Sequence, residues 1–208
     1  MTVEKVFEFV VRDIHTVVAA TADEGGLPVT CAIDIMDWDG SGLYFLTARG
    51  KSFYRRLMAR PYVSFTGIQG EDTIHRRAVT VRGSVRPESS SVLARLIERN
   101  AYMREIYPTE RSRGALEVFC IHSGTAEWFD LSKKPIERFV LAFGGDEKAG
   151  ADGGYYVGSS CISCGQCLAV CPQNCIQLAP SAATIVQEHC LMCGNCAAVC
   201  PVGAVSGR

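Results

Sequence analysis

The sequence predicts a mainly β chain with helices (α+β), in two parts: a Greek-key barrel and, behind it, a small domain organised by cysteine. Three observations predict it. Short apolar stretches separated by turn signals run through the first 143 residues, with helical stretches between them. Charge nearly vanishes from Tyr155 onward, where Glu188 and Arg208 are all that remain of 22 acids and 21 bases. Nine of the 11 cysteines lie between Cys161 and Cys200.

The bulk figures exclude several classes. A length of 208 residues allows one or two domains with an ample core. A net charge of -1 points away from nucleic acid and from acidic membrane surfaces. Charges punctuate "MTVEKVFEFVVRDIH", so no secretory signal is expected, and no run approaches the ~18 apolar residues of a spanning helix. The expected setting is the cytoplasm, where clustered cysteines favour metal over disulfides.

The front part, 1–143, reads as follows. "TVVAATAD" (Thr16 to Asp23) is an apolar, β-branched strand, and "EGG" after it is a turn. "PVTCAIDIM" (Pro28 to Met36) alternates, "WDGSG" turns, and "LYFLTA" (Leu43 to Ala48) is a third strand. "KSFYRRLMA" (Lys51 to Ala59) has helical spacing and stops before Pro61. "YVSFTGI", "AVTVRGSV" and "LEVFCIHSGTAEWF" are further strands. Between the last two, Pro87 to Tyr107 reads as one helix, capped within Ser89 to Ser91 and ended by Pro108. "ERSRG" (Glu110 to Gly114) reads as a charged solvent loop. "FGGDEKAGADGG" marks a linker, 144–154, ahead of a tail domain, 155–208.

The tail spacing is C-x2-C-x2-C-x3-C-P at Cys161, Cys164, Cys167 and Cys171. It repeats 29 residues later at Cys190, Cys193, Cys196 and Cys200. This run is typical of two-cluster iron–sulfur proteins. Three close cysteines wrap one [4Fe-4S] cluster, while the fourth has moved along the chain and ligates the other. One cluster therefore takes Cys161, Cys164, Cys167 and Cys200; the other takes Cys190, Cys193, Cys196 and Cys171. Gly165 and Gly194 let the backbone approach, and Pro172 and Pro201 stop each turn. The competing readings are zinc, which prefers C-x2-C pairs with longer gaps, and a disulfide knot. The tail resembles the bacterial-type two-cluster ferredoxins over roughly Tyr155 to Val205, which implies two short β-hairpins and two short helices in pseudo-twofold symmetry. Cys175 reads as a buried thiol packing near a cluster, and His189 as a loop histidine.

In the front part, "LYFLTARGKSFYRRL" carries chemical content. A strand ends at Leu46-Thr47, and a turn with Gly50 opens a helix at Lys51-Ser52. Hydroxyls, a lysine and free amides at a helix start suit a phosphate; the same residues also read as an ordinary strand–turn–helix with a capping serine. With the flanking order of strands, "RPYVSF" and "RRAVTVRGSV", the stretch resembles the pyridoxamine-phosphate-oxidase-like flavoproteins over roughly Val6 to Gly144. That resemblance implies a split β-barrel with FMN at a homodimer interface. It implies Thr47, Lys51 and Ser52 on the FMN phosphate, Thr30, Cys31, Ala32 and Leu46 beside the isoalloxazine, and Arg77 as a further contact. The extra Arg beside the lysine and the C-terminal substrate pattern of the vitamin-processing oxidases have no counterpart here. His75 reads as a solvated loop residue, Cys31 and Cys120 as buried thiols, and Trp38 and Trp128 as core or interface cover.

The expected function is a cytoplasmic, dimeric oxidoreductase. Electrons move singly through the clusters, FMN gathers two, and a small-molecule acceptor or a redox partner protein completes the chain. No residue is assigned as acid or base. The rivals are a fused electron carrier between proteins and a redox-sensing module.

Overall fold

The alternating stretches of the front part become a seven-stranded sheet in the computed structural model, which describes residues 1–145 and 153–207. Its strands are β1 (Thr16–Ala22), β2 (Pro28–Asp39), β3 (Gly42–Ala48), β4 (Tyr62–Gln69), β5 (Arg77–Pro87), β6 (Leu116–Asp130) and β7 (Glu137–Phe143). They lie in the order β3-β2-β1-β4-β5-β6-β7, and β3 also pairs with β6, so the first six close into a barrel. β3 and β6 run antiparallel from Leu43↔Ile121 to Ala48↔Leu116. Alternation decides what fills the barrel. Ile33, Ile35, Val63, Phe65, Val79 and Val81 are buried, whereas Val18, Thr66 and Ile68 face outward. Phe45 and Phe119 stack in the interior with ring centroids 5.7 Å apart.

The helices fill the gaps between strands. Helix α1 (Val3–Phe9) is not among the elements expected from the sequence. Thr2 caps it by accepting from the Lys5 amide at 3.4 Å, and Val6, Phe7, Phe9 and Val10 are buried on one side. It runs into a π-helical turn, Val10–Ile14, which ends at His15 with φ +61°. Helix α2 (Ser52–Ala59) buries Phe53 and Leu57.

The single helix expected over 87–107 is broken. Helix α3 (Ser90–Arg99) stops at Asn100, and α4 (Met103–Ile106) follows. The buried Asn100 amide donates to the Leu96 and Met36 carbonyls at 2.8 and 3.1 Å, so the side chain competes with the backbone for the helix's own acceptor. The loop expected at "ERSRG" is a short helix, α5 (Glu110–Arg113), closed by a capping box between Thr109 and Ser112.

Charge pins α3 to the barrel. Asp37, 4% exposed, pairs with both Arg95 and Arg99. Arg95 also donates to Asp39 at 3.0 Å and lies over the Tyr44 ring at 4.8 Å. The Arg95 Nε contact to Asp37 is 3.1 Å but lacks hydrogen-bond alignment, so it acts as an ion pair.

The chain divides into two compact units. One holds Met1–Gln69 and Ala78–Glu127; the other holds Gly70–Arg77, Trp128–Val140 and the tail. Of the linker expected at 144–154, residues 146–152 lie outside the described residues. In the tail, β9 (Ile176–Leu178) and β10 (Ala183–Ile185) form a hairpin, while β8 (Tyr155–Val157) pairs with the distant β11 (Val205–Gly207). The second of the two expected hairpins is thus a pairing of the tail's two ends. The short helices are α6 (Gln166–Ala169) and α7 (Asn195–Ala198).

The repeat is built twice in the backbone as well as in sequence. Ser163 and Met192 have φ +52° and +54°, and Gly165 and Gly194 have +77° and +79°. The left-handed glycines start α6 and α7, where other residues would be strained.

Removing the Phe45 ring tests the barrel core. Phe45→Ala should lower unfolding free energy by about 3–5 kcal/mol in urea titration, with the native strand signal retained before the transition.

Candidate cofactor sites

The barrel unit carries a cleft of about 870 Å³, counted with its open mouth. Cys31, Ala32, Leu46, Thr47 and Lys51 all line it. Lys51 directly precedes α2, whose first turn has no side-chain cap, so helix amides and a lysine meet at one place. Thr30 lies on the same outward face of β2, two residues before Ala32, but does not line the cleft. Ser52 opens α2, and its hydroxyl accepts from Arg55 at 2.9 Å. Arg77 starts β5 and is not a lining residue. This cleft suits a phosphate at a helix start with an apolar ring along a strand.

Two basic residues of α2 that the local spacing does not single out also make polar contacts. Arg55 reaches back over the turn, and Arg56 donates to Thr21 at 2.7 Å. Cys31, expected as a buried thiol, is half-buried on the cleft wall; that partial burial pushes its thiol up, against the opposing charges of Arg56 and Lys51. Cys120, fully buried, is pushed to about 11, chiefly by burial, and has the character expected of a core thiol.

The cleft has a second polar group that no local motif announced. Thr16, Asp34 and Tyr102 also line it. Thr16 and Tyr102 each donate to the Asp34 carboxylate at 2.7 Å, and the His15 ring nitrogen stands 3.2 Å from the Tyr102 hydroxyl. Burial pushes the Asp34 carboxyl up; the bonds from Thr16 and Tyr102 and the nearby His15 outweigh it and leave the group below the usual value. Asp34 was readable as a charge on an outward strand position, but its partners were not.

The tail unit has two smaller cavities. One, about 350 Å³, is lined by Cys161, Cys164, Cys167 and Cys200. The other, about 330 Å³, is lined by Cys171, Cys190, Cys193 and Cys196, with Cys175 beside them. Each cavity therefore gathers three cysteines of one copy and the last of the other. All 11 cysteines are free thiols. Four sulfurs around one zinc stand roughly 3.8 Å apart, from a Zn–S bond of ~2.3 Å; among the described residues no group of three ligating side chains is arranged to hold a single metal ion. Four thiols ringing a cavity fit a larger cluster.

Backbone amides help shape both sites. The Ala204 amide donates to Cys200 Sγ at 3.2 Å and the Met192 amide to Cys190 Sγ at 3.4 Å. Amides from Val202 and its neighbours hold Cys200 below the usual thiol value. Cys175 is buried, with its sulfur 3.5 Å from that of Cys171, and burial together with Cys171 pushes it up to about 12. His189 Nδ1 donates to the Ile136 carbonyl at 2.8 Å. His75 sits in an exposed loop against Asp72, 2.8 Å away.

A closed split barrel with a helix-start cleft, joined to a cysteine-ringed tail, defines a redox class of protein. Residues 3–127 match the family described as pyridoxamine 5'-phosphate oxidase, and the chain belongs to that family. Residues 160–204 match the 4Fe-4S dicluster domain. No curated protein matches the chain. Among solved structures, a NimC/NimA family protein from Clostridium acetobutylicum aligns with TM-score 0.55 and 17% identity, over 66% of this chain and 92% of that one. A conserved hypothetical protein from Mycobacterium tuberculosis aligns with TM-score 0.52 and 22% identity, over 63% and 86%. A heme binding protein from Mycobacterium smegmatis aligns with TM-score 0.52 and 14% identity, over 66% and 57%. These likenesses establish the fold. Among the described residues no helix is long and apolar enough to cross a membrane.

Asp34 has a sign-definite pH consequence. Its folded-state pKa lies below the unfolded 3.8, so its stabilisation is present above about pH 4 and is lost as pH falls through the folded value. The stability gap between the wild type and Asp34→Asn should therefore close on acidification below pH ~4, as read from urea midpoints at stepped pH.

Proposed function

We propose that the chain is an FMN- and iron–sulfur-dependent oxidoreductase that passes electrons between two [4Fe-4S] clusters and FMN, and so reduces or oxidises a small substrate. The observation that carries this reading is the sorting of the eight cysteines. Each set of four chosen by spacing lines its own cavity, in a chain that also has a phosphate-ready cleft. When bound, FMN would exchange electrons one or two at a time and each cluster one at a time, which makes the pair a converter between single-electron and two-electron chemistry.

The chain's own residues would do the holding. Lys51, Thr47 and the start of α2 would take the FMN phosphate, and Cys31, Ala32 and Leu46 would border the ring. Cys161, Cys164, Cys167 and Cys200 would ligate one cluster, and Cys190, Cys193, Cys196 and Cys171 the other. Ser52, Thr30 and Arg77 would complete the flavin site on closure of a homodimer. The outward face of β1, β2 and β4 supports that dimer: Val18 is 58% and Ile68 56% exposed, and Ala20, Thr30, Ala32, Ser64 and Thr66 around them carry no charge. Such a protein works where thiols stay reduced, hence in the cytoplasm, with a redox protein as its electron donor or acceptor.

Iron and flavin counts test the reading directly. Anaerobically purified protein should hold about eight irons and one FMN per chain. Full iron with no flavin would instead indicate a pure electron carrier, and about four irons in intact protein would remove one cluster.

The crossover has its own test. With Cys171→Ala and Cys175→Ala combined, so that the neighbouring thiol cannot substitute, iron should fall by about four. Alkylation followed by mass spectrometry should then label Cys190, Cys193 and Cys196 and spare Cys161, Cys164 and Cys167. Labelling of the first copy instead would mean that each copy holds its own cluster.

A further inference from the structure

The cleft that holds Lys51 also holds an ionised acid. Asp34 lies three residues beyond Cys31 on β2, about 10 Å along the strand. Thr16 and Tyr102 each donate to it at 2.7 Å. A carboxylate has about four acceptor sites, so two are filled and two remain for a ligand. The Tyr102 proton is committed to Asp34, and the Tyr102 oxygen has the His15 Nε2 beside it at 3.2 Å. His15 Nε2 also stands 3.6 Å from Asp34 Oδ2, beyond hydrogen-bond reach, so the carboxylate keeps open acceptor sites for a ligand while the Thr16 and Tyr102 hydroxyl protons are already committed to it.

The arrangement is held in place. His15 has φ +61°, a region uncommon for a residue with a side chain. Two backbone bonds enforce it: the His15 amide donates to the Val10 carbonyl at 2.8 Å, closing the π turn, and the Ile35 amide donates to the His15 carbonyl at 2.9 Å. The His15 and Tyr102 rings meet edge to face, 5.9 Å between centroids. Met103, Ile106 and Tyr107 supply apolar cover next to the acid.

We infer that Asp34, positioned by Thr16, Tyr102 and His15, is a specificity-determining residue that takes the N–H or ammonium group of a small, ring-bearing substrate in the cleft. This inference rests on FMN occupying the Lys51 end. The FMN phosphate would neutralise Lys51 there and leave Asp34 as the charge a second ligand meets. An anionic substrate would face like charge at Asp34, whereas an amine would complete the unfilled acceptors and lay its ring against α4.

The FMN-loaded chain is titrated with benzylamine, benzyl alcohol and benzoate. Binding is read from the flavin absorbance change and from ligand-observed NMR. Benzylamine should bind at least about tenfold more tightly than benzoate, and Asp34→Asn should remove roughly tenfold of benzylamine affinity. The FMN affinity of that variant should stay within about twofold of wild type. Tyr102→Phe, which keeps the acid, should weaken benzylamine several-fold with its circular dichroism and FMN content unchanged. Benzoate binding as well as benzylamine would overturn the inference, as would benzylamine affinity unchanged in Asp34→Asn. Loss of FMN along with benzylamine would also overturn it, because it would assign Asp34 to the flavin. If the chain retains no FMN, the flavin reading fails separately; on the flavin-free chain Lys51 is open to benzoate, so only the benzylamine comparison between wild type and Asp34→Asn, read by NMR, then decides the role of Asp34.

Discussion

Pairing of β3 with β6 is the constraint on which the barrel unit depends. Without it the six strands are an open sheet; with it they close, and Phe45 comes to stack on Phe119. The pairing needs close approach at its start. Gly42 has φ +140°, and a Cβ there would lie 2.0 Å from the Ile121 carbonyl oxygen. The same ladder fixes Leu46 and Thr47 opposite Val118 and Glu117, so the end of β3 and the start of α2 are held by a strand 72 and 70 positions further along. The phosphate-ready turn is therefore a product of barrel closure, even though its residues are contiguous.

The cleft depends in turn on how the connection between β5 and β6 lies against β2. Arg95 and Arg99 on α3 converge on Asp37, and the Asn100 side chain holds the Met36 carbonyl. A buried pair of this kind brings little net stability, because desolvation offsets attraction, but an unpaired Asp37 would be costly. Its consequence is registry. It holds α3 against β2, and beyond the Asn100 cap Tyr102 and Met103 line the cleft.

In the tail, local geometry and long-range assembly divide the work. Each copy makes its own turn, with paired left-handed residues 29 positions apart. Neither copy completes a cavity alone, since Cys171 reaches the second set and Cys200 the first. The pairing of β8 with β11 draws the tail's two ends together and is consistent with that exchange. The two cavities are interlocked, so the doubled motif is a single unit of structure.

The sequence by itself determined the strand and turn grammar of the barrel, the eight-cysteine register and the Thr47–Lys51 turn. All of these are written in local spacing: period two on a pleated strand, glycines where φ is positive, cysteines at intervals a short turn can wrap. Helix α1 rests on local features of the same kind, a Thr2 cap and an apolar stripe, interrupted by the charges of its other face. The break of α3 at Asn100, the pairing of the tail's ends and the acid corner of the cleft were decided only in three dimensions. Tyr102 and Asp34 are 68 residues apart, and His15 and Tyr102 are 87 apart. Nothing in either neighbourhood marks the partner. A hydrogen bond between them exists because barrel closure and the Asp37 ion pairs bring separate segments to one place, and spacing along a chain carries no record of that.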